Sequence, residues 1–164
     1  MLETASFDDQ GREVDADNRL RDWWTVDDSA QFKVRADVLS SQYSAMEPLP
    51  GLHIKGDVTL GENIADLGGV TIALEAYHRS LFGLAAPVLD GFSGDQRFFL
   101  GWAQVWREKR REDNLRQMIT TDVHSPATAR VNGVVRNMDP WYHGFTVQPD
   151  QALFLAPDKR VRIW

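Results

Sequence analysis

Glu62 and Asp66 are two carboxylates whose spacing would allow them to face a common cation. They lie four positions apart, so a helix would place both carboxylates on one face, one turn apart. An acidic pair at this spacing usually marks a solvated helix surface. Here a pair of glycines (68–69) and an apolar stripe follow, which favours an inward orientation. Buried carboxylates are costly unless a cation or hydrogen-bond donor meets them, so the pair predicts a partner group.

Residues 62–69 read E-N-I-A-D-L-G-G. This run resembles the E-N-x-A-D-x-G-G signature of the neprilysin family of zinc endopeptidases. The resemblance implies that Glu62 is the third protein ligand of a zinc ion. It also implies that Asp66 holds a zinc-bound histidine in orientation, as outer carboxylates do in zinc sites.

Further segments resemble the same family in the same order along the chain, from residue 7 to residue 164. They are F-D-D-Q-G-R (7–12), D-W-W-T (22–25), A-Q-V-W (103–106), D-V-H-S-P (122–126) and V-R-I-W (161–164). The last segment has Val161 where the family commonly has Cys, which bacterial members often lack.

The resemblance also implies roles on the substrate side of the site. Val105 and Trp106 would line the pocket for the substrate side chain that follows the scissile bond. Asp122 and His124 would belong to the catalytic set, with His124 stabilising the oxyanion, and Arg130 would hydrogen-bond the substrate backbone. Taken singly, each of these residues is more often structural, and only their joint order indicates the family.

The principal zinc motif of that family does not occur in this sequence. Catalysis there needs H-E-x-x-H, in which two His bind zinc and the Glu acts as general base. The four His stand at 53, 78, 124 and 143, and none has a second His four positions later. Alignment on residues 7–9 places Met1, Leu2 and Ala5 at the motif's essential positions. We therefore expect that the chain alone does not bind zinc and is inactive.

Three hypotheses remain open from the sequence. The chain is an inactive C-terminal part of a zinc metalloendopeptidase, one chain of a split or oligomeric peptidase, or a non-catalytic peptide-binding module. The parent family acts on peptides, and surface left uncovered without the zinc helix would favour a homo-oligomer or association with an N-terminal part. Without a metal, we expect Glu62 or Asp66 to have a raised pKa, or an Arg or solvent to pair with them.

The segments of the chain that carry these residues are predicted to be mainly helical. Thr25 and Asp28 have capping-box spacing, and Phe32, Ala36, Leu39 and Tyr43 recur at helical intervals. A second helix is predicted from about Glu62 to Phe82, with a close helix–helix approach at its two glycines. A third begins near Ser93 or Asp95 and runs past Trp106, with Phe98, Trp102, Val105 and Lys109 on one side, and a short one covers Leu115–Thr120.

From His124 onward repeated prolines predict loops, short strands and one turn of helix. The fold class is therefore mainly α: one domain over 1–164, a zincin-like C-terminal subdomain of three to five helices with an irregular tail of loops and short strands.

Composition excludes several classes of protein. Of the residues, 43% are hydrophobic and 26% are charged, as in globular domains, and Cys is absent, so there is no thiolate metal site. The net charge of −6 argues against a nucleic-acid partner. No apolar run is long enough for a membrane segment, residues 1–10 do not predict a signal peptide, and localisation stays open.

Overall fold

A computed structural model describes residues 12–163, and it confirms the mainly α fold class. The α-helices in this range are α1 (Val26–Ser44), α2 (Leu60–Ser80), α3 (Gly94–Val105), α4 (Glu112–Thr121), α5 (Ala127–Val135) and α6 (Asp139–Phe145). A 3₁₀ turn follows at Pro157–Lys159. Within 12–163 the only β pairing consists of three isolated bridges. None of the helices within 12–163 is long and apolar enough to cross a membrane.

Helix α1 begins where the sequence predicts. The Thr25 hydroxyl accepts from the Asp28 backbone N–H, and the Asp28 carboxylate accepts from the Thr25 backbone N–H, which satisfies two of the free donors of the first turn. The predicted apolar face is confirmed: Ala36, Leu39 and Tyr43 are buried, and Phe32 packs against them.

Helix α2 lies at the centre of the fold and packs against α1, α3 and α5. Its buried face carries Ile64, Leu67, Val70 and Leu74. Helices α5 and α1 approach closely: a Cβ at Gly133 would lie 2.4 Å from the ring of Tyr43. Gly68, one of the two residues predicted to mark such a contact, is buried.

Helix α3 differs from the prediction in its end. It begins at the predicted place, where Ser93 and Gln96 form a capping box, but it ends at Val105 rather than past Trp106. Phe99 is buried, and the predicted Phe98 and Trp102 pack against the core as partly buried residues. Val105, at the end of the helix, is 73% exposed.

The tail after His124 is more helical than predicted, which brings the helices in 12–163 to six rather than three to five. Pro126 occupies the N-cap of α5 and Pro140 lies in the first turn of α6. Proline is tolerated at these positions because their N–H groups need no partner within the helix. The prediction that both prolines break the chain is therefore wrong. The predicted short strands are absent from residues 124–163.

The end of the chain is fastened to α6. Arg160 donates to the Asp139 carboxylate at 2.6 Å and lies 3.5 Å from the Tyr142 ring centre. The Val161 backbone N–H donates to Asn137 Oδ1 at 2.7 Å, and the Val161 side chain is buried. The F-D-D-Q-G segment (7–11), the aligned positions of Met1, Leu2 and Ala5, and Trp164 lie outside the described residues.

Candidate active site

The first turns of α2 carry the two acidic residues singled out in the sequence. Glu62 and Asp66 lie on one face, with side chains 24% and 9% exposed. The inward orientation predicted from the following glycines and apolar stripe is thus found, and each carboxylate meets a cationic or polar partner.

Arg130, on α5, is the partner of Asp66. Its Nε donates to Asp66 Oδ2 at 2.6 Å and its Nη2 to Oδ1 at 2.7 Å, a bidentate geometry that is among the strongest side-chain pairings. Nη2 also lies 3.7 Å from Glu62 Oε2. The guanidinium stacks 4.0 Å from the ring centre of Trp106, so Arg130 is held on one side by charge and on another by an aromatic face.

Burial raises the pKa of the Asp66 carboxyl, and the hydrogen bonds from Arg130 oppose that rise. Asp66 therefore combines a raised pKa with a paired arginine. Arg130 binds Asp66 through Nε and Nη2. Its Nη1 forms no hydrogen bond with any residue of 12–163 and can donate to a ligand.

His124 lies between two carboxylates. Its Nδ1 is 2.8 Å from Asp122 Oδ1, and its Nε2 is 3.3 Å from Glu62 Oε2. The backbone N–H of His124 donates to the same Asp122 oxygen at 2.9 Å, and these hydrogen bonds lower the pKa of the Asp122 carboxyl. Asp122 therefore fixes the ring orientation of His124, and the ring edge reaches Glu62.

A buried hydrogen-bond chain, which the sequence did not predict, ties the His124 segment to α2. Ser125 Oγ donates to Asn63 Oδ1 at 2.8 Å, and Asn63 Nδ2 donates to Thr59 Oγ1 at 2.9 Å. All three residues are buried. The sequence offered one indication of this chain of hydrogen bonds: Asn63 follows Glu62 and Ser125 follows His124, so each polar residue is adjacent to a candidate site residue.

Val105 is the last residue of α3 and Trp106 is its C-cap. The two residues line different cavities beside the acidic pair and Arg130. Val105 lines an open cavity of about 590 Å³ together with Asp66, Gly69 and Trp102. Trp106 contacts Arg130 and lines a different cavity of about 760 Å³. The structure thus brings all seven predicted site residues to one end of α2 and α3.

Comparison with known proteins identifies the origin of this arrangement. Residues 4–161 match the model of peptidase family M13. The chain belongs to peptidase family M13. Neprilysin-1 of Caenorhabditis elegans is 38% identical over 98% of the chain, and human endothelin-converting enzyme 1 is 37% identical over the same share.

Solved M13 structures superpose closely on this chain. The zinc metalloprotease ZMP1 of Mycobacterium tuberculosis, in complex with an inhibitor, is 51% identical with a TM-score of 0.93 over 98% of the chain. The same enzyme in an open state gives 52% and 0.91 over 97%. The neprilysin-type resemblance and the mainly α fold are thereby confirmed.

The chain spans only about a quarter of those M13 structures and about a fifth of the curated relatives: 25% and 26% of the former, and 22% and 21% of the latter. The activity, substrates and partners of whole M13 proteins therefore enter below as proposals.

The described residues, 12–163, do not form a complete zinc site by themselves. A catalytic zinc takes three protein ligands and an open position, and within 12–163 no group of three His, Cys, Asp or Glu could hold a metal. Glu62 fits as a single carboxylate ligand. Its Oε2 lies 3.3 Å from His124 Nε2 and 3.7 Å from Arg130 Nη2, and Arg130 is a cation that cannot ligate a metal.

Proposed function

We propose that this chain supplies the third zinc ligand and the substrate-side groups of an M13-type peptidase site, and that by itself it is catalytically inactive. The observation that carries the proposal is the cluster in which Arg130 binds Asp66 while His124 and Arg130 both approach Glu62. In this proposal Glu62 is the ligand and Asp66 the orienting carboxylate. The remaining ligands and the general base come from an H-E-x-x-H helix that these 164 residues do not contain.

The chemistry assigned to each residue follows from its geometry. Bound zinc would polarise a peptide carbonyl and activate water. Asp122 holds the imidazole of His124 so that its Nε2 edge faces the cluster, where it donates to a developing oxyanion. Arg130 is rigid because Asp66 and Trp106 hold it, and its Nη1 donates to a peptide carbonyl. Preorganised donors of this kind are effective because they need no reorganisation during the reaction.

A fusion protein tests the proposal. The region of the Mycobacterium tuberculosis relative that precedes the residue aligned with Phe7 is joined to residues 7–164. Zinc content is measured by mass spectrometry, and hydrolysis with a fluorogenic peptide. We expect zinc and turnover from the fusion and neither from the 164-residue chain. Stoichiometric zinc with turnover in the chain alone would contradict the proposed inactivity.

Substitutions in the fusion test the individual roles. Glu62→Gln is expected to abolish stoichiometric zinc, and Asp66→Asn to weaken zinc binding about 10–100-fold. His124→Gln is expected to lower kcat about 10²–10³-fold with zinc retained. Glu75→Gln is the matched control, because Glu75 lies on the same helix, exposed and paired with Arg79. Unchanged zinc in Glu62→Gln would refute its assignment as a ligand.

Association with another chain is a second candidate, favoured by exposed apolar side chains. Phe82, Leu84 and Val88 are 91%, 75% and 66% exposed in the α2–α3 connection, and Ile72 on α2 is 59% exposed. Contiguous apolar surface drives association. We propose that the isolated chain forms homo-oligomers or binds an N-terminal part supplied separately. Sedimentation velocity tests this association. A chain that stays monomeric at high concentration and does not bind the added N-terminal region would exclude it.

A further inference from the structure

The cavity behind Trp106 contains cationic and donor groups that the proposed catalytic set does not use. It has a volume of about 760 Å³, and its lining includes Trp106, Arg107, Arg110 and Arg136 together with Glu47 and Glu108. Guanidinium groups therefore outnumber carboxylates in the lining, although the whole chain has a net charge of −6.

Two of these guanidiniums lack a counter-charge. Arg110 is paired with Glu108 at 2.9 Å, and the Glu47 carboxylate accepts from the backbone N–H of Gly51. Neither Arg107 nor Arg136 forms an ion pair with another residue of 12–163. The balance of the lining is therefore positive.

Two residues that line the cavity also carry buried donors. Nε of Arg136 and Nε1 of Trp106 have no hydrogen-bond partner among residues 12–163. Both groups can only donate, so a ligand that satisfies them must offer acceptor oxygens. Arg136 caps the C-terminus of α5, where a cation is favoured by the helix dipole, but that position gives its Nε no acceptor.

Partial burial of Arg136 disfavours the charged form of its guanidinium. Desolvation lowers the pKa of its guanidinium, which means that its charged form is under-compensated. Buried charges in proteins are paired or hydrogen-bonded. A water molecule could satisfy one donor, but it would add no negative charge.

We propose that this cavity binds the carboxylate of a peptide, with Arg136 and Arg107 supplying the counter-charge. Trp106 lines the cavity and also stacks against Arg130. The carboxylate is either an acidic side chain or a peptide C-terminus. The proposal rests on the proposed function, because it takes a peptide as the ligand that lies along Arg130.

Peptide binding to the full chain tests the carboxylate preference. One pair of acetylated tetrapeptide amides differs only in Glu versus Gln, and one pair of tripeptides differs only in a free or an amidated C-terminus. Dissociation constants are measured by NMR titration, with the arginine Nε–Hε signals as a local readout. We expect the carboxylate member of at least one pair to bind about tenfold tighter, the effect of one charged hydrogen bond. The pair that shows the preference identifies the source of the carboxylate.

Substitutions assign that preference to the cavity. Arg136→Gln and Arg107→Gln are each expected to reduce it to less than about threefold, since a charged partner is lost. Arg107 is exposed, so its variant gives an answer even where Arg136→Gln fails to fold. Arg79→Gln, an exposed change on α2, is the control and should retain the preference.

Three results would overturn the inference: equal affinities within both pairs, a preference that survives both substitutions, or no binding of any peptide at millimolar concentration. The proposed function is tested separately by hydrolysis in the fusion. If the fusion is active but the chain shows no preference for a carboxylate in either peptide pair, this inference alone is refuted.

Discussion

Removing Arg130 should destabilise the chain far more than removing an exposed arginine with similar hydrogen-bond lengths. In Arg130→Met the apolar stem can still cover Trp106, but Asp66, 9% exposed, loses both donors. Breaking a buried pair by removing one partner costs about 3–5 kcal/mol. Asp66→Asn should cost less, about 1–3 kcal/mol, because Glu62 remains 3.7 Å from the guanidinium.

Urea denaturation followed by circular dichroism measures these changes in the free energy of unfolding. The control is Arg79→Met, since Arg79 donates to Glu75 on the same helix at 2.8 Å with side chains 79% and 59% exposed. That exposed pair should contribute less than about 0.5 kcal/mol. The double variant Arg130→Met/Asp66→Asn should be more stable than the sum of the single effects predicts. A cost for Arg130→Met below about 1 kcal/mol, or strictly additive single effects, would refute the claim that Asp66 is desolvated and dependent on Arg130.

Two further predictions concern packing and pH. Gly133→Ala should destabilise the chain by about 1–3 kcal/mol through overpacking, since the new Cβ would meet the Tyr43 ring. Gly101→Ala, where the Cβ enters open space, should be neutral or stabilising by up to about 1 kcal/mol, and equal urea midpoints for the two variants would contradict this. For Asp139, Arg160 lowers the carboxyl pKa in the folded state, so its stabilising effect is present above the unfolded pKa of about 4 and is lost as the pH falls below it. Asp139→Asn should therefore be less stable than the parent at pH 7 and converge with it in acid; a constant difference in melting temperature across that range would show that the ion pair does not contribute.

The sequence predicted those elements whose signals are local. The Thr25–Asp28 capping box, the buried face of α1 and the acidic face of α2 each depend on residues three or four positions apart, and the structure has them as predicted. The family resemblance, which extends over the chain, predicted that distant residues such as Glu62 and His124 belong to one site.

The errors arose where one residue type serves two purposes. Proline ends a helix at most positions but begins one in the first turn, so Pro126 and Pro140 were interpreted as breakers when they begin α5 and α6. The end of α3 at Val105 rather than past Trp106 has no local stop signal such as Gly or Pro at this position. The Ser125–Asn63 hydrogen bond joins residues 62 positions apart, and no single-sequence pattern specifies such a pairing.

The buried hydrogen-bond chain from Ser125 through Asn63 to Thr59 has a mechanical consequence. It fixes the segment bearing His124 to the same helix that carries Glu62, while Asp66 anchors Arg130 and its helix to that helix one turn further on. Helix α2 therefore holds the Glu62 carboxylate, the His124 imidazole and the Arg130 guanidinium in fixed positions relative to one another. A displacement of α2 is expected to move these three groups together and to leave their spacing unchanged.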